Sequence, residues 1–344
     1  MNRTNALFGR DTIDLSVGGT KSTPLKAIVQ IGFKTEGVLT GHYAKNEYKF
    51  YDVQGFVPDY EAKLPVFSGM LEIDYQQWTN VKLIYQRSGV ELSQVQFDVL
   101  RGAGTRMSRQ LNGFLQSKPV KFLTNLPKTQ LMPMTGTAYL GFPVNFMGVT
   151  GTVSLRVIAT MPNGDVETKT AWSGTLQNGT VYNFNVSPYH VTKLFAVLPV
   201  RYTVQIYSSD NTILSESVTY ELTGNDNFLT FIYLNSFGRF DAINLTCDYE
   251  MGLQVEPQRV QNNRLITRPN TEARRRLNVE FLQLTEEMKE PLTELLLSRA
   301  VYLFDSGRHI PLDCTTTEMT YLKTLEYFES MPVEFLIAHS NNSY

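Results

Sequence analysis

The stretch Phe228–Thr246 (FLTFIYLNSFGRFDAINLT) constrains the fold of this chain more than any other. Its opening run, Phe228 to Leu234, is apolar at nearly every position, as a strand buried on both faces requires. Asn235-Ser236-Phe237-Gly238 then breaks the run, because Asn235 can bond its own backbone in a turn and Gly238 is free to take φ > 0. A second strand follows, in which Phe240, Ala242 and Leu245 lie near one another while Asp241 and Asn244 interrupt the apolar surface. Upstream there are mainly strand signals. Downstream come an Arg-rich segment and the one well-formed helical pattern.

At 344 residues the chain exceeds what one core usually organises, so two or three domains are expected. With 18 Tyr, 20 Phe and 23 Gly, its composition favours strands and turns over bundles. A formal charge of −2 supplies no global drive toward nucleic acid or anionic membrane. Cys247 and Cys314 are too few and too far apart for a disulfide framework or a zinc site, and read as buried small hydrophobes. The N-terminus lacks the apolar core of a secretory signal, and no apolar run approaches the ~18 residues of a spanning helix. The expectation is a soluble protein made in the cytoplasm.

The fold expected in chain order is mainly β. Residues 1–22 are an arm ordered by whatever it touches. Residues 23–148 form a β-rich domain, with strand signals at Ala27–Ile31, Gly69–Tyr75, Val81–Arg87, Val95–Val99 and Val120–Leu123, and a hairpin at Ser88-Gly89. Met107, Leu111, Phe114 and Leu115 give Arg106–Gln116 a helical spacing that Gly113 weakens. Residues 149–256, with short strands and turns every ~8–12 residues, have the rhythm of an immunoglobulin-like β-sandwich in which Trp172 is a core residue. Residues 257–276, with six Arg against Glu272, read as a linker or exposed arm suited to another subunit. Residues 277–344 form a small α+β module with one helix across a sheet. Thr285 offers an N-cap hydroxyl there, and Pro291 either starts the helix proper or kinks it. Strands are expected at Ala300–Phe304, His309–Cys314, Tyr321–Phe328 and Val333–Ala338.

Few motifs carry chemistry. Arg101-Gly102-Ala103-Gly104-Thr105-Arg106 lacks the third Gly and the Lys-Ser/Thr of a phosphate cradle. His42, His190, His309 and His339 show no metal-ligand spacing. Ser236 sits in a turn and not in a nucleophile elbow. Asp241 and Asp248 could act as glycosidase carboxylates only if both faced one cleft. No catalytic, cofactor or metal residue is assigned, and the expectation is a non-enzyme. Between Asp98 and Asp165 there is no acidic residue, while Arg101, Arg106, Arg109, Lys118, Lys121, Lys128 and Arg156 fall in the span. The basic stretch 101–128 is therefore either a cationic surface, toward a subunit or packaged DNA, or a set of solvated strand edges.

Two stretches together resemble a known group. Phe231–Asp241 is similar to a "LNS-hydrophobic-G-x-x-D" joint in structural proteins of phages and prophages of Bacteroidetes-type bacteria. Phe281–Ser298, followed by Val301–Phe304, Ile310–Leu312 and Pro332–Ala338, resembles the strand–helix–strand–strand segment of distal-tail and baseplate proteins. The resemblance implies a virion tail or baseplate subunit that forms a symmetric homo-oligomeric ring with other tail proteins, without membrane insertion. Its wealth of aromatics, with Trp78 and Trp172, suggests an alternative: a carbohydrate-binding or adhesin-type β-sandwich that contacts a host-surface glycan.

Overall fold

The computed structural model describes residues 3–8, 15–18, 25–31, 33–44, 47–50, 56, 60–101, 119–144, 151–224, 227–257, 260–262, 265–267, 271–316 and 330–337. The chain is mainly β, with short helices, as expected from its composition. The expected helix Arg106–Gln116, the expected strand Tyr321–Phe328, His339 and most of the basic stretch 101–128 lie outside the described residues.

The first strands in the chain are β1 (Arg3–Phe8), β2 (Leu15–Gly18), β3 (Leu25–Ile31), β4 (Lys34–Thr40), β5 (His42–Ala44), β6 (Glu47–Phe50), β7 (Leu71–Asp74), β8 (Trp78–Arg87) and β9 (Val90–Leu100), and all but β7 form the first unit. One sheet runs β1-β9-β8-β3-β4, and a smaller one runs β2-β6-β5. Alternation on β3 and β8 buries Leu25, Ala27, Val29, Val81, Leu83 and Tyr85, which pack against Tyr48 and Phe50 of β6. The Ser88-Gly89 hairpin forms as expected, with φ of 51° and 82°, the positive pair that a tight two-residue loop demands. The N-terminal arm is corrected in part. Arg3–Phe8 pairs with β9 and Leu15–Gly18 with β6, so these stretches complete the chain's own sheet edges.

Beyond lie β10 (Thr129–Pro133), β11 (Tyr139–Val144), β12 (Thr152–Thr160), β13 (Val166–Thr175), β14 (Thr180–Asn185), helix α1 (Pro188–Val191), β15 (Arg201–Ser208) and β16 (Val218–Thr223). A β10-β16-β15-β12-β13 sheet faces a β11-β14-β7 sheet across a shared core, which makes the expected sandwich. Val153, Leu155 and Val157 point inward with Tyr202, Val204 and Ile206, and meet Phe142, Tyr182 and Phe184 from the other sheet. Trp172 packs against Tyr182 and Phe184. The expected boundary at 148/149 moves. Leu71–Asp74 joins β14 rather than the first sheet, and Val120 bridges Ser215. Partner choice is a long-range matter that local strand rhythm does not encode.

The largest correction concerns the stretch Phe228–Thr246. It does not close the sandwich; it opens a separate barrel. Among the described residues, β17 (Phe228–Leu234), β18 (Phe240–Pro257), β21 (Thr271–Leu282), β22 (Val301–Asp305), β23 (Arg308–Cys314) and β24 (Ser330–Ile337) close in the order β17-β18-β21-β24-β23-β22. Short β19 (Val260–Asn262) and β20 (Leu265–Thr267) pair with each other between β18 and β21. Helix α2 (Lys289–Leu297) inserts Leu292 and Leu295 into the barrel core beside Phe231, Phe281 and Phe335.

Two local expectations change here. Thr285 makes no side-chain cap, and a 3₁₀ turn at Glu286–Met288 leads into α2 instead. Pro291 is the third residue of α2, in the first turn where backbone N–H groups have no intrahelical acceptor, so it costs no hydrogen bond and requires no kink. Within the expected linker or arm at 257–276 the described residues are paired: β18 and β21 run antiparallel from Cys247↔Phe281 out to Pro257↔Thr271.

Candidate functional site

Two places draw charged or exposed aromatic groups together. The first is the turn between β17 and β18. Asn235 holds it as the sequence suggested. Its Oδ1 accepts hydrogen bonds from the backbone N–H groups of Phe237 (3.0 Å) and Arg239 (3.0 Å). Gly238, at φ 74°, donates its N–H to the Asn235 carbonyl. The Asn235 Nδ2 then reaches the carbonyl of Leu123 at 2.9 Å, so one amide ties barrel to sandwich.

Around that turn two polar layers form. In one, the buried Arg239 guanidinium lies 2.5 Å from Asp74 and 3.5 Å from Glu72, both on β7 of the sandwich, and donates to the Tyr60 hydroxyl at 3.0 Å. Tyr60 also bonds Asp74. Burial alone would raise the Asp74 carboxyl, but Arg239, Tyr60 and the Gln76 N–H together hold it below the usual carboxylate range. In the other layer, Thr124 Oγ1 donates to Asp241 at 2.8 Å, while Glu294 of α2 accepts from Asn125 Nδ2 (2.9 Å) and the Ser236 N–H (3.1 Å). Asp241 and Glu294 are only 2% and 8% exposed. Burial, reinforced by Glu294, pushes the Asp241 carboxyl up to about 8. Glu294 is raised as well, chiefly by burial and against its two hydrogen bonds to Ser236 and Asn125.

The second place is a groove of about 760 Å³ between sandwich and barrel mouth, lined by Tyr189, His190, Phe228, Tyr249, Met251 and Phe304 among others. Tyr189 and Tyr249 are 65% and 57% exposed. Lys193 Nζ sits 3.4 Å from the Tyr189 ring centre, a cation–π contact. Tyr249 and Met251 have the parity of the buried Leu245 and Cys247 on β18, so the barrel's inner face continues into the open there.

The sequence candidates fare unevenly. Asp241 and Asp248 are an odd number of residues apart on β18 and so point to opposite faces: Asp241 is buried and Asp248 exposed. They share no cleft. Ser236 contributes its backbone N–H to Glu294. Cys247 lies in the barrel core and Cys314 against it, as small hydrophobes, and burial raises both thiols, Cys247 to about 11. His309 rests against Tyr302 and Phe304. Among the described residues no group of three or more His, Cys, Asp and Glu is arranged to hold a metal. Of the basic span, Arg101 bonds the Gln76 carbonyl, Lys128 pairs with Glu216 at 3.4 Å and Arg156 lies over Tyr207.

Arg239, Tyr60, Glu72, Asp74, Thr124, Asn125 and Glu294 escaped the sequence reading. A usable signal existed for one of them: Glu294 falls between the core leucines 292 and 295 of α2.

No family model matches the chain, and no curated protein matches it in sequence. Among solved structures it is similar to SGBP-B of the mixed-linkage glucan utilization locus of Bacteroides ovatus, in complex with a mixed-linkage heptasaccharide. Identity is 13%, the TM-score is 0.15, and the match covers 78% of this chain and 65% of that one, just under two thirds of its length. A TM-score that low does not establish a shared fold.

Proposed function

We propose that this chain is a non-enzymatic structural subunit of a phage particle, a tail or baseplate component that acts by closing into a homo-oligomeric ring among other tail proteins. The observation that supports this reading is the ribbon formed by the outer part of β18 and β21. Among the described residues its third strand, β24, pairs as far as Ile337 opposite Arg275, while β18 and β21 continue to Pro257↔Thr271. Met251 and Leu253 at its base are 58% and 62% exposed. A two-stranded ribbon is marginal alone in water, and an exposed apolar row on it gains by being covered.

Charge favours a copy of the same chain as the cover. Residues 257–276 hold six Arg against one acid, a net of +5, so the rest of the chain carries −7. A basic ribbon against an acidic body is a heterologous contact, and such contacts close into rings when the rotation permits. Replacing Met251 and Leu253 with Glu is expected to reduce the native mass from oligomer to monomer while circular dichroism still reports a folded β protein. A wild-type protein that stays monomeric and is absent from particles overturns the reading.

A second reading has its own support: the exposed Tyr189 and Tyr249 along the 760 Å³ groove suit stacking against sugar rings. It makes the chain a carbohydrate-binding β-sandwich protein. Binding on a glycan array that Tyr249→Ala reduces at least tenfold is the expected result under this reading. An array without binding removes it.

A further inference from the structure

The Asp241–Glu294 layer has a property that assembly does not use. Both carboxyl groups are buried at the meeting point of β18, α2 and the Thr124–Leu126 segment, and both face the Asn235-Ser236 turn. Among the described residues Glu294 Oε2 has no hydrogen-bond partner, and neither has the buried Tyr233 hydroxyl. The charged and titratable groups around them can be named element by element. Strand β16 offers Tyr220, β17 offers Tyr233, and α2 offers Glu290. The Thr124–Leu126 segment offers none. Arg239, the cation of the turn, is bonded to Asp74 and Glu72; its charge also acts on Asp241 and favours the carboxylate there, but burial outweighs it. Two ionised carboxylates here would therefore repel each other in a water-excluded site with no cation bonded to either.

We propose that this layer is a proton-held latch. Asp241 and Glu294 keep at least one proton between them in the closed joint, and its loss releases α2 and the Thr124–Leu126 segment from the turn. The sign follows from linkage. A carboxyl whose folded value lies above its unfolded one makes the folded state bind more protons, so stability is greatest below the unfolded value and falls as pH rises. For Asp241 that window runs from about 4 in the unfolded chain to about 8 in the folded one. The raised values of both groups agree with the geometry. The neutral acid also gains a use, since it can donate where a carboxylate can only accept.

The test is thermal melting and hydrogen exchange of the full chain from about pH 5 to about pH 9. The wild type is expected to lose several degrees of melting temperature across this range, with exchange in 289–297 and 124–126 accelerating before the rest of the barrel. Asp241→Asn and Glu294→Gln should each flatten that slope and melt at or above the wild type at the alkaline end. A wild type equally stable at both ends overturns the latch, as do two variants that keep the wild-type slope. Infrared difference spectra of the wild type decide the matter even if the variants fail to fold. A carbonyl stretch of a buried protonated carboxyl that titrates above neutrality is expected, and its absence overturns the latch.

Discussion

Replacing Asn235 with alanine is expected to destabilise the chain by about 3–5 kcal/mol, with most of the loss in the joint between sandwich and barrel. The side chain is 4% exposed and satisfies three backbone groups: the N–H of Phe237, the N–H of Arg239 and the carbonyl of Leu123. Alanine leaves all three without that partner, and a buried backbone group left unsatisfied costs roughly 1–3 kcal/mol. Backbone relaxation and water entry recover part, which sets the range below the full sum. Denaturant titration followed by tyrosine fluorescence and circular dichroism measures the loss. A loss under about 1 kcal/mol would mean that the turn is held by something other than Asn235.

Arg239→Ala is the second large effect, at about 3–5 kcal/mol, because removing one partner of a buried ion pair strands the other. Here Asp74, with Glu72 nearby, would be left behind in the sandwich while the barrel loses its anchor. Arg239→Lys should recover only part of the loss. A single ammonium cannot reach Asp74, Glu72 and the Tyr60 hydroxyl together as the guanidinium does. The variant also has a pH signature. Asp74 is held low, so it contributes stability above its unfolded pKa of about 3.9, and that contribution is lost as pH falls through the folded value. Acid unfolding of the wild type should therefore be shifted in Arg239→Ala, whose Asp74 has lost the charge that held it down. Equal acid midpoints for the two proteins would contradict the assignment. The acid side of the stability profile thus belongs to Asp74 and Arg239, and the alkaline side to Asp241 and Glu294.

These residues also show what the sequence made legible and what it did not. The strands were readable because alternation on β3, β8, β12 and β15 separates inward from outward positions. The Ser88-Gly89 and Asn235–Gly238 turns were readable because positive φ and side-chain-to-backbone bonds select those residue types. Strand partners were not. Leu71–Asp74 looks the same in sequence whether it pairs with the first sheet or with β14, and β17 looks the same whether it ends a sandwich or opens a barrel. The joint was hidden for the same reason. Asp74 and Arg239 are far apart in the chain, and only the fold brings them to 2.5 Å. The stretch 257–276 could be read as a linker or an exposed arm but not as a paired ribbon, because composition is identical in a solvated coil and in paired strands.

Assembly of copies of this chain through the basic ribbon, as proposed above, is open to electron microscopy of the purified protein across a range of concentrations. Closed rings of one size, whose subunits touch through the Met251–Arg276 ribbon, are expected. Particles that are single copies at every concentration would contradict it.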